Sequence, residues 1–477
     1  MKKLFLLFPV AFSLNAQVDS AFFKKVFDEA LLNGHCYKRL GELCKTVGSR
    51  LSGSDNAEKA VAWGVKMLNE YVFDSVFKQP VMVPRWERGN KENLTFSSDV
   101  FNKKILNKTA ADYDCEAFEE QTLKAAKWHK INAVTLGGSV GSNGKIQGKL
   151  VSVYSDRQLD SLGKAGLLQG KFVLLNRAFP ENLLNTFAAY GACVPQRVNG
   201  AAKAAKYGAL AVLVRSMSNR CDLHAHTGVM HYADSVKKIP AMAVATAVAN
   251  LLEKLAGQDS ELRISMEINS RTLPDRLSDN VMAQTTGNLY PDKVIAFGGH
   301  FDSWDQGEGA HDDGAGCMHA FEALRILKAI GYKPRHTLRC VWWMNEENGL
   351  RGATDYATKA ANVGENHVAA LESDRGGFTP RGFGVDSAFI PKLNNYRKLL
   401  EQYGIGSIEK GGGGADIGPL RKANPKAVLV GFIPDSQRYF DVHHAETDVF
   451  ENVNKRELEL GAAAVAVMIA ILDMELD

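Results

Sequence analysis

Basic runs are missing from this sequence: no stretch of consecutive Lys or Arg exceeds two residues, and 57 cationic against 54 anionic side chains leave a formal charge of +3 over 477 residues. So flat a balance gives no electrostatic footprint for nucleic acid. Cysteine is scarce as well, seven in all, which excludes a scaffold built on disulfides, and an odd number cannot all pair internally. Cys36 and Cys44 lie about two helical turns apart, so pairing them would require a broken helix. No cysteine has metal-site spacing. There is no fixed-period repeat, no low-complexity tract beyond residues 411–414, and no later apolar run long enough to span a bilayer; the nearest, residues 462–472, reads as a buried terminal helix. With 45% apolar and 23% charged residues, what remains is a globular chain of about two or three domains.

The amino terminus, MKKLFLLFPVAFSLNAQ, joins two lysines to an apolar stretch and then to the small residue Ala16. That is the pattern of a secretory signal peptide over residues 1–16, although Leu14 occupies a position where a small residue is preferred. The expectation is a soluble protein, secreted or periplasmic. Asn93 and Asn107 open glycosylation sequons that matter only in a eukaryotic secretory pathway.

Residues 20–32, 36–47 and 56–71 carry helical apolar spacing, with a turn at Gly53-Ser54-Asp55 placed to cap the third helix. Residues 75–83 alternate like a strand. From residue 131 short β-like runs (150–154, 171–175, 210–214, 264–268) alternate with glycine-marked turns and an alanine-rich helix at 200–207. Beyond residue 275 longer strands (293–298, 337–344, 368–373, 427–432) alternate with helices (314–330, 350–361, 390–403, 455–473). The pattern predicts an α/β fold, a mixed and mostly parallel sheet flanked by helices, interrupted by a smaller α/β module. Its segments are 17–130, the module at 131–274, and 275–477.

In open α/β sheets ligands bind beyond the carboxyl ends of the strands. Three strands end in polar motifs: GGHFDS presents His300 and Asp302, MNEENG presents Glu346 and Glu347, and ESDRGG presents Asp374. GAHDDGAG supplies Asp312 and Asp313, and VHHAETD supplies His443, His444 and Asp448. Any one of these is more often a helix cap or a solvated turn. Jointly they place several carboxylates in one cleft, where like charges cannot all ionise unless a cation is present. Mixed imidazole and carboxylate donors suit zinc, and a carboxylate-rich set with two imidazoles suits two zinc ions per chain bridged by one carboxylate. Such a pair activates a water, and an unligated carboxylate moves protons; Glu346 and Glu347 could divide those roles.

At these residues the chain resembles the zinc aminopeptidase and glutamate carboxypeptidase family of dinuclear metallopeptidases. The likeness runs over nearly the whole mature chain, with GGHFDSWDQGEGAHDDGAG its most specific block. The resemblance implies that His300 and Asp374 hold one zinc, that Glu347 and His444 hold the other, and that Asp312 is shared. It makes Glu346 the general base, Asp302 the carboxylate that orients the His300 ring, and the Asp312–Asp313 bond cis. It selects His444 over His443 and reads the middle module as a protease-associated domain. The activity implied is exopeptidase cleavage of short peptides, with dipeptides foremost, and the resemblance also suggests a homodimer. Val449 stands where the family usually has Thr, and Glu446 adds a charge near His444. Arg375 is a weak candidate for gripping a peptide terminus, and the glycine-rich loop at Asp416 is either near the site or a plain connection. Two other readings remain: a receptor on the same fold that has lost its chemistry, against which the full ligand set argues, and a glutaminyl-cyclase-like zinc enzyme.

Overall fold

The alternation beyond residue 275 builds one face of the molecule around an eight-stranded sheet. The computed structural model describes residues 18–106 and 127–477, so the expected signal peptide, Cys115 and the Asn107 sequon lie outside the described residues. Across the sheet the strands run Ser75–Glu87, Arg271–Thr285, His336–Trp343, Tyr290–His300, Asn366–Glu372, Val428–Pro434, Pro380–Val385 and Ser407–Lys410. Four central strands are parallel, from His336–Trp343 to Val428–Pro434. The flanks bring in antiparallel pairs. Every residue of His336–Trp343 is buried, as a parallel strand covered on both faces requires.

Five helices cover one face in a single apolar cluster: Ser20–Asn33, Cys36–Thr46, Asp55–Leu68, Ala315–Ala329 and Lys455–Glu475. Ser54 caps the third as expected, accepting from the Ala57 N–H at 3.1 Å. Cys36 and Cys44 lie free and buried on one unbroken helix, so they do not pair. Lys455–Glu475 has no polar stripe and is buried almost throughout, as a helix apolar on all sides must be. It contains the run read as a buried terminal helix, and no described helix is long and apolar enough to cross a membrane. Its far end is fastened by Asp473, fully buried, which accepts hydrogen bonds from the Tyr332 hydroxyl (2.6 Å), the Arg335 and His336 N–H groups (2.9 and 2.8 Å) and His336 Nδ1 (2.9 Å).

The second sheet also has eight strands, in the order His129–Lys130, Glu92–Ser97, Arg263–Ile268, Ile146–Val153, Phe172–Leu175, Ala211–Arg215, Ala241–Val244 and Ala133–Thr135. It takes in Glu92–Ser97, well ahead of residue 131, because that strand pairs antiparallel with Arg263–Ile268 from the far end of the module. The helix read at 200–207 is the tail of a twenty-residue helix, Thr186–Ala205. Pro195 inside it removes one N–H and masks the helical pattern. This longer helix carries side chains to the cleft described below.

Asp473→Ala strands four buried donors. The variant is expected to lose about 3–5 kcal/mol of stability, read as a fall in the urea midpoint. Leu32→Ser, at a side chain 79% exposed, is expected to stay within about 0.5 kcal/mol of the parent.

Candidate metal centre

Tyr290–His300 lies between His336–Trp343 and Asn366–Glu372 and parallel to both, so three carboxyl ends open on one edge. The chain can close in there because Gly299 lacks a side chain: a Cβ would stand 2.0 Å from Asp313 Oδ2. Asp313 uses that approach to accept from the His300 N–H (3.1 Å) and the Gly316 N–H (2.9 Å). The Asp312–Asp313 peptide bond is cis.

Asp312 is the hub. Its Oδ1 is 3.1 Å from His300 Nε2, which in turn lies 3.5 Å from Asp374 Oδ1. Its Oδ2 is 3.2 Å from His444 Nε2, which lies 3.1 Å from Glu347 Oε2. The two oxygens of one carboxylate therefore face two separate donor sets. His443 Nε2 also comes within 3.5 Å of Asp312 Oδ2, but its ring is stacked on His444 with centroids 3.5 Å apart, and the close Glu347 contact belongs to His444. His444 takes a left-handed backbone, φ 62°, a cost that non-glycine residues bear where the surroundings hold them.

The groups behind this set fix its direction. His300 Nδ1 faces the main-chain carbonyl of Asp302 at 2.9 Å, while the Asp302 carboxylate is 3.9 Å away. The ring is thus oriented by Asp302, but through its backbone. The carboxylate instead accepts from the Asn345 N–H (2.7 Å) and the Glu346 N–H (3.0 Å) and holds the turn that presents Glu346 and Glu347. Asp448 does the same for the hub, accepting from the His311 N–H (2.7 Å) and the Asp312 N–H (3.1 Å). Fixing the Nδ1 side of an imidazole leaves the Nε2 lone pair for a metal.

Electrostatics show what the set lacks. Burial pushes the Glu347 carboxyl up to about 7. Burial also raises Glu346 well above its usual range, with Asp374, Glu347 and Asp312 adding to it and His300 opposing. Burial opposes charge on His300 and His444, yet the facing carboxylates outweigh it and raise both well above the usual imidazole value. Oδ2 of Asp312 is buried and receives no hydrogen bond. Two imidazoles and three carboxylates with an orphaned carboxylate oxygen fit a divalent cation, and the donor chemistry suits zinc.

Comparison with known proteins bears on this arrangement. The sequence pattern of peptidase family M28 matches residues 280–469. Carboxypeptidase Q of Bos taurus is 31% identical over 445 residues, 92% of this chain and 85% of that protein, and the Homo sapiens protein is 32% identical over the same shares. The chain belongs to peptidase family M28. A solved M28 peptidase precursor from Shewanella amazonensis superposes with a TM-score of 0.83 at 28% identity, over 95% of this chain and 96% of that one. The zinc aminopeptidase of Bacillus subtilis shares the fold at TM-score 0.62 and 18% identity, over 93% and 95%.

In this M28 peptidase the set opens on a cleft of about 410 Å³. Its far wall comes from the second-sheet unit and was not foreseen from sequence: Phe187, Tyr190 and Arg197, all on Thr186–Ala205. A lone Arg in an apolar helix gives no local signal. Arg375 lies with its guanidinium 4.6 Å from the Phe187 ring centre. Asp416 is 1% exposed and its N–H donates to Glu372 Oε2 at 2.9 Å, which places it behind the Asp374 strand end. Glu446 pairs with His224 at 2.8 Å on the surface.

Asp448→Ala frees the backbone that aims Asp312. Zinc affinity, measured by competition with a chelator, is expected to fall about 10- to 100-fold, the usual scale for groups behind a ligand. Glu446→Ala is expected to leave it unchanged.

Proposed function

We propose that this M28 peptidase is an exported zinc exopeptidase that holds two zinc ions and hydrolyses dipeptides. The observation that carries the reading is the split of Asp312, one oxygen toward His300 and Asp374 and the other toward His444 and Glu347. One carboxylate facing two donor sets is the arrangement that a carboxylate-bridged pair of ions needs. Zinc bound there would supply Lewis acidity toward the scissile carbonyl and lower the pKa of water.

The chain's own residues do the rest. Glu346 lines the cleft on the turn fixed by Asp302, beside the ligand Glu347. It takes the proton of the attacking water and delivers it to the departing amine, work for which a carboxyl raised by burial is suited. Phe187, Tyr190, Tyr439 and Phe440 give the cleft an aromatic wall for a substrate side chain, and aromatic rings bury apolar area at low entropic cost. The second-sheet unit takes the part of an inserted protease-associated domain, closing the cleft from above. The names of the carboxypeptidase Q relatives agree with cleavage at a free carboxyl terminus.

Purified mature protein is expected to contain close to two zinc per chain, and chelation should abolish dipeptide hydrolysis until zinc is restored. Glu346→Gln should lower kcat by roughly 10²- to 10⁴-fold with zinc content unchanged. Asp312→Ala should empty both positions together. Retention of one full equivalent in that variant would defeat the bridging role.

A further inference from the structure

The two imidazoles that face Asp312 are oriented from different places. His300 is served by its own loop, where Nδ1 lies 2.9 Å from the Asp302 carbonyl. His444 is served from the second-sheet unit. Its Nδ1 lies 3.3 Å from the Thr227 carbonyl, which Arg197 Nη1 also reaches at 3.3 Å, and its own carbonyl accepts from the Thr227 N–H at 2.9 Å. One residue earlier, the His443 carbonyl meets His226 Nδ1 at 2.8 Å. Consecutive carbonyls of the motif loop are thus taken up by consecutive residues of the other unit.

Those two residues are fixed where they stand. The His226 N–H donates to Ser216 Oγ (2.9 Å), whose hydroxyl donates to the Val244 carbonyl (2.8 Å), and Thr227 Oγ1 donates to the Thr135 carbonyl (3.0 Å). Thr135 and Val244 end strands of the second sheet, and Ser216 directly follows another. The His226 side chain is 3% exposed. A carbonyl oxygen only accepts, so Nδ1 carries the proton and Nε2 keeps a lone pair, which is buried and without a partner. An unmet buried acceptor is costly, and the bond made by Nδ1 is what the ring sets against that cost.

We propose that His226 is a positioning residue for the metal ligand His444, so that the zinc held by His444 and Glu347 depends on the second-sheet unit and the zinc held by His300 and Asp374 does not; this rests on the two-ion reading above. Backbone geometry supports it. His444 stands at φ 62°, a conformation that persists only where its surroundings hold it, and the donors to its own carbonyl and to the one before it both come from residues 226 and 227. Ring geometry supports it too. The acceptor facing Nδ1 decides which nitrogen is left for a metal, and for His444 the Thr227 carbonyl, which moves with His226, is that acceptor.

The test is stepwise removal of zinc from the full mature enzyme by graded chelator, with bound metal counted at each step. In His226→Leu one equivalent is expected to bind about 10- to 100-fold more weakly, the usual scale for groups behind a ligand, while the other is released as in the parent. His226→Asn offers an amide donor within reach of the same carbonyl and should restore the parent profile. In double variants the loss should persist with Asp374→Ala and vanish with His444→Ala. Weakening of both equivalents together, no weakening, failure of Asn to restore, or a loss that survives His444→Ala overturns the assignment. Should His226→Leu not fold, Ser216→Ala frees the His226 N–H alone and is expected to show a smaller loss confined to one equivalent; a loss shared by both, or none, overturns it equally. A parent that holds one zinc defeats the two-ion reading, and the role of His226 then stands only if His226→Leu weakens that ion and His226→Asn restores it. A parent that holds none overturns both.

Discussion

Carboxylates crowded at one edge of a parallel sheet are the constraint around which the molecule is organised. Besides Glu346, six come together there, and they serve in two ways. Asp302, Asp313 and Asp448 turn toward main-chain N–H groups and fix the backbone of the three motif loops. Asp312, Glu347 and Asp374 turn toward imidazole and toward one another. The first set is held by main-chain donors, although Asp302 Oδ2 receives none and burial raises all three carboxyls above their usual range. The second set is left short of positive charge, and a divalent charge is what completes it. The two sets share one chemistry and differ only in what each carboxylate faces.

The second sheet takes part in that edge instead of hanging from it. The Thr227 N–H donates to the His444 carbonyl at 2.9 Å, and His226 Nδ1 meets the His443 carbonyl at 2.8 Å. Burial holds the His226 imidazole down to about 4, so its ring is neutral and Nδ1 is free to donate. Arg88, on the connection out of the first sheet, pairs with Asp305 and also donates to the Thr135 carbonyl of the second sheet. Trp304 packs where a Cβ on Gly137 would be, 1.9 Å from its ring. His444 and the turn after His300 are both braced from the second-sheet unit.

What was legible in the sequence was what is local. A hydrophobic strand followed within two or three residues by His, Asp or Glu needs no tertiary information, and the strand ends at His300, Glu346-Glu347 and Asp374 converge as their order implied. The resemblance alone selected His444 over its neighbour, by its spacing to Asp448; in the structure both rings approach Asp312, and His444 is the one beside Glu347. What escaped was set by distant pairing. Glu92–Ser97 is a short amphipathic strand whose partner lies more than 160 residues away. Thr186–Ala205 contains a proline, so its pattern broke in two. The Asp302 carboxylate was expected on the His300 ring, but the tight turn brings its backbone carbonyl there first and sends the side chain to the neighbouring loop.

Chemistry and selectivity occupy separate elements as a result. The metal-facing side chains and Glu346 stand on loops of the first sheet, positioned by strands that are buried on both faces and cannot shift without disturbing the core. The opposite wall, Phe187, Tyr190 and Arg197, stands on one helix of the second-sheet unit. That helix lines the cleft apart from the carboxylate and imidazole set, except at Arg197, where the guanidinium lies against His444. At that single contact, 3.4 Å from Nη1 to Nδ1, the helix wall touches the ring that faces Asp312, so the two walls of the cleft are coupled through one side chain.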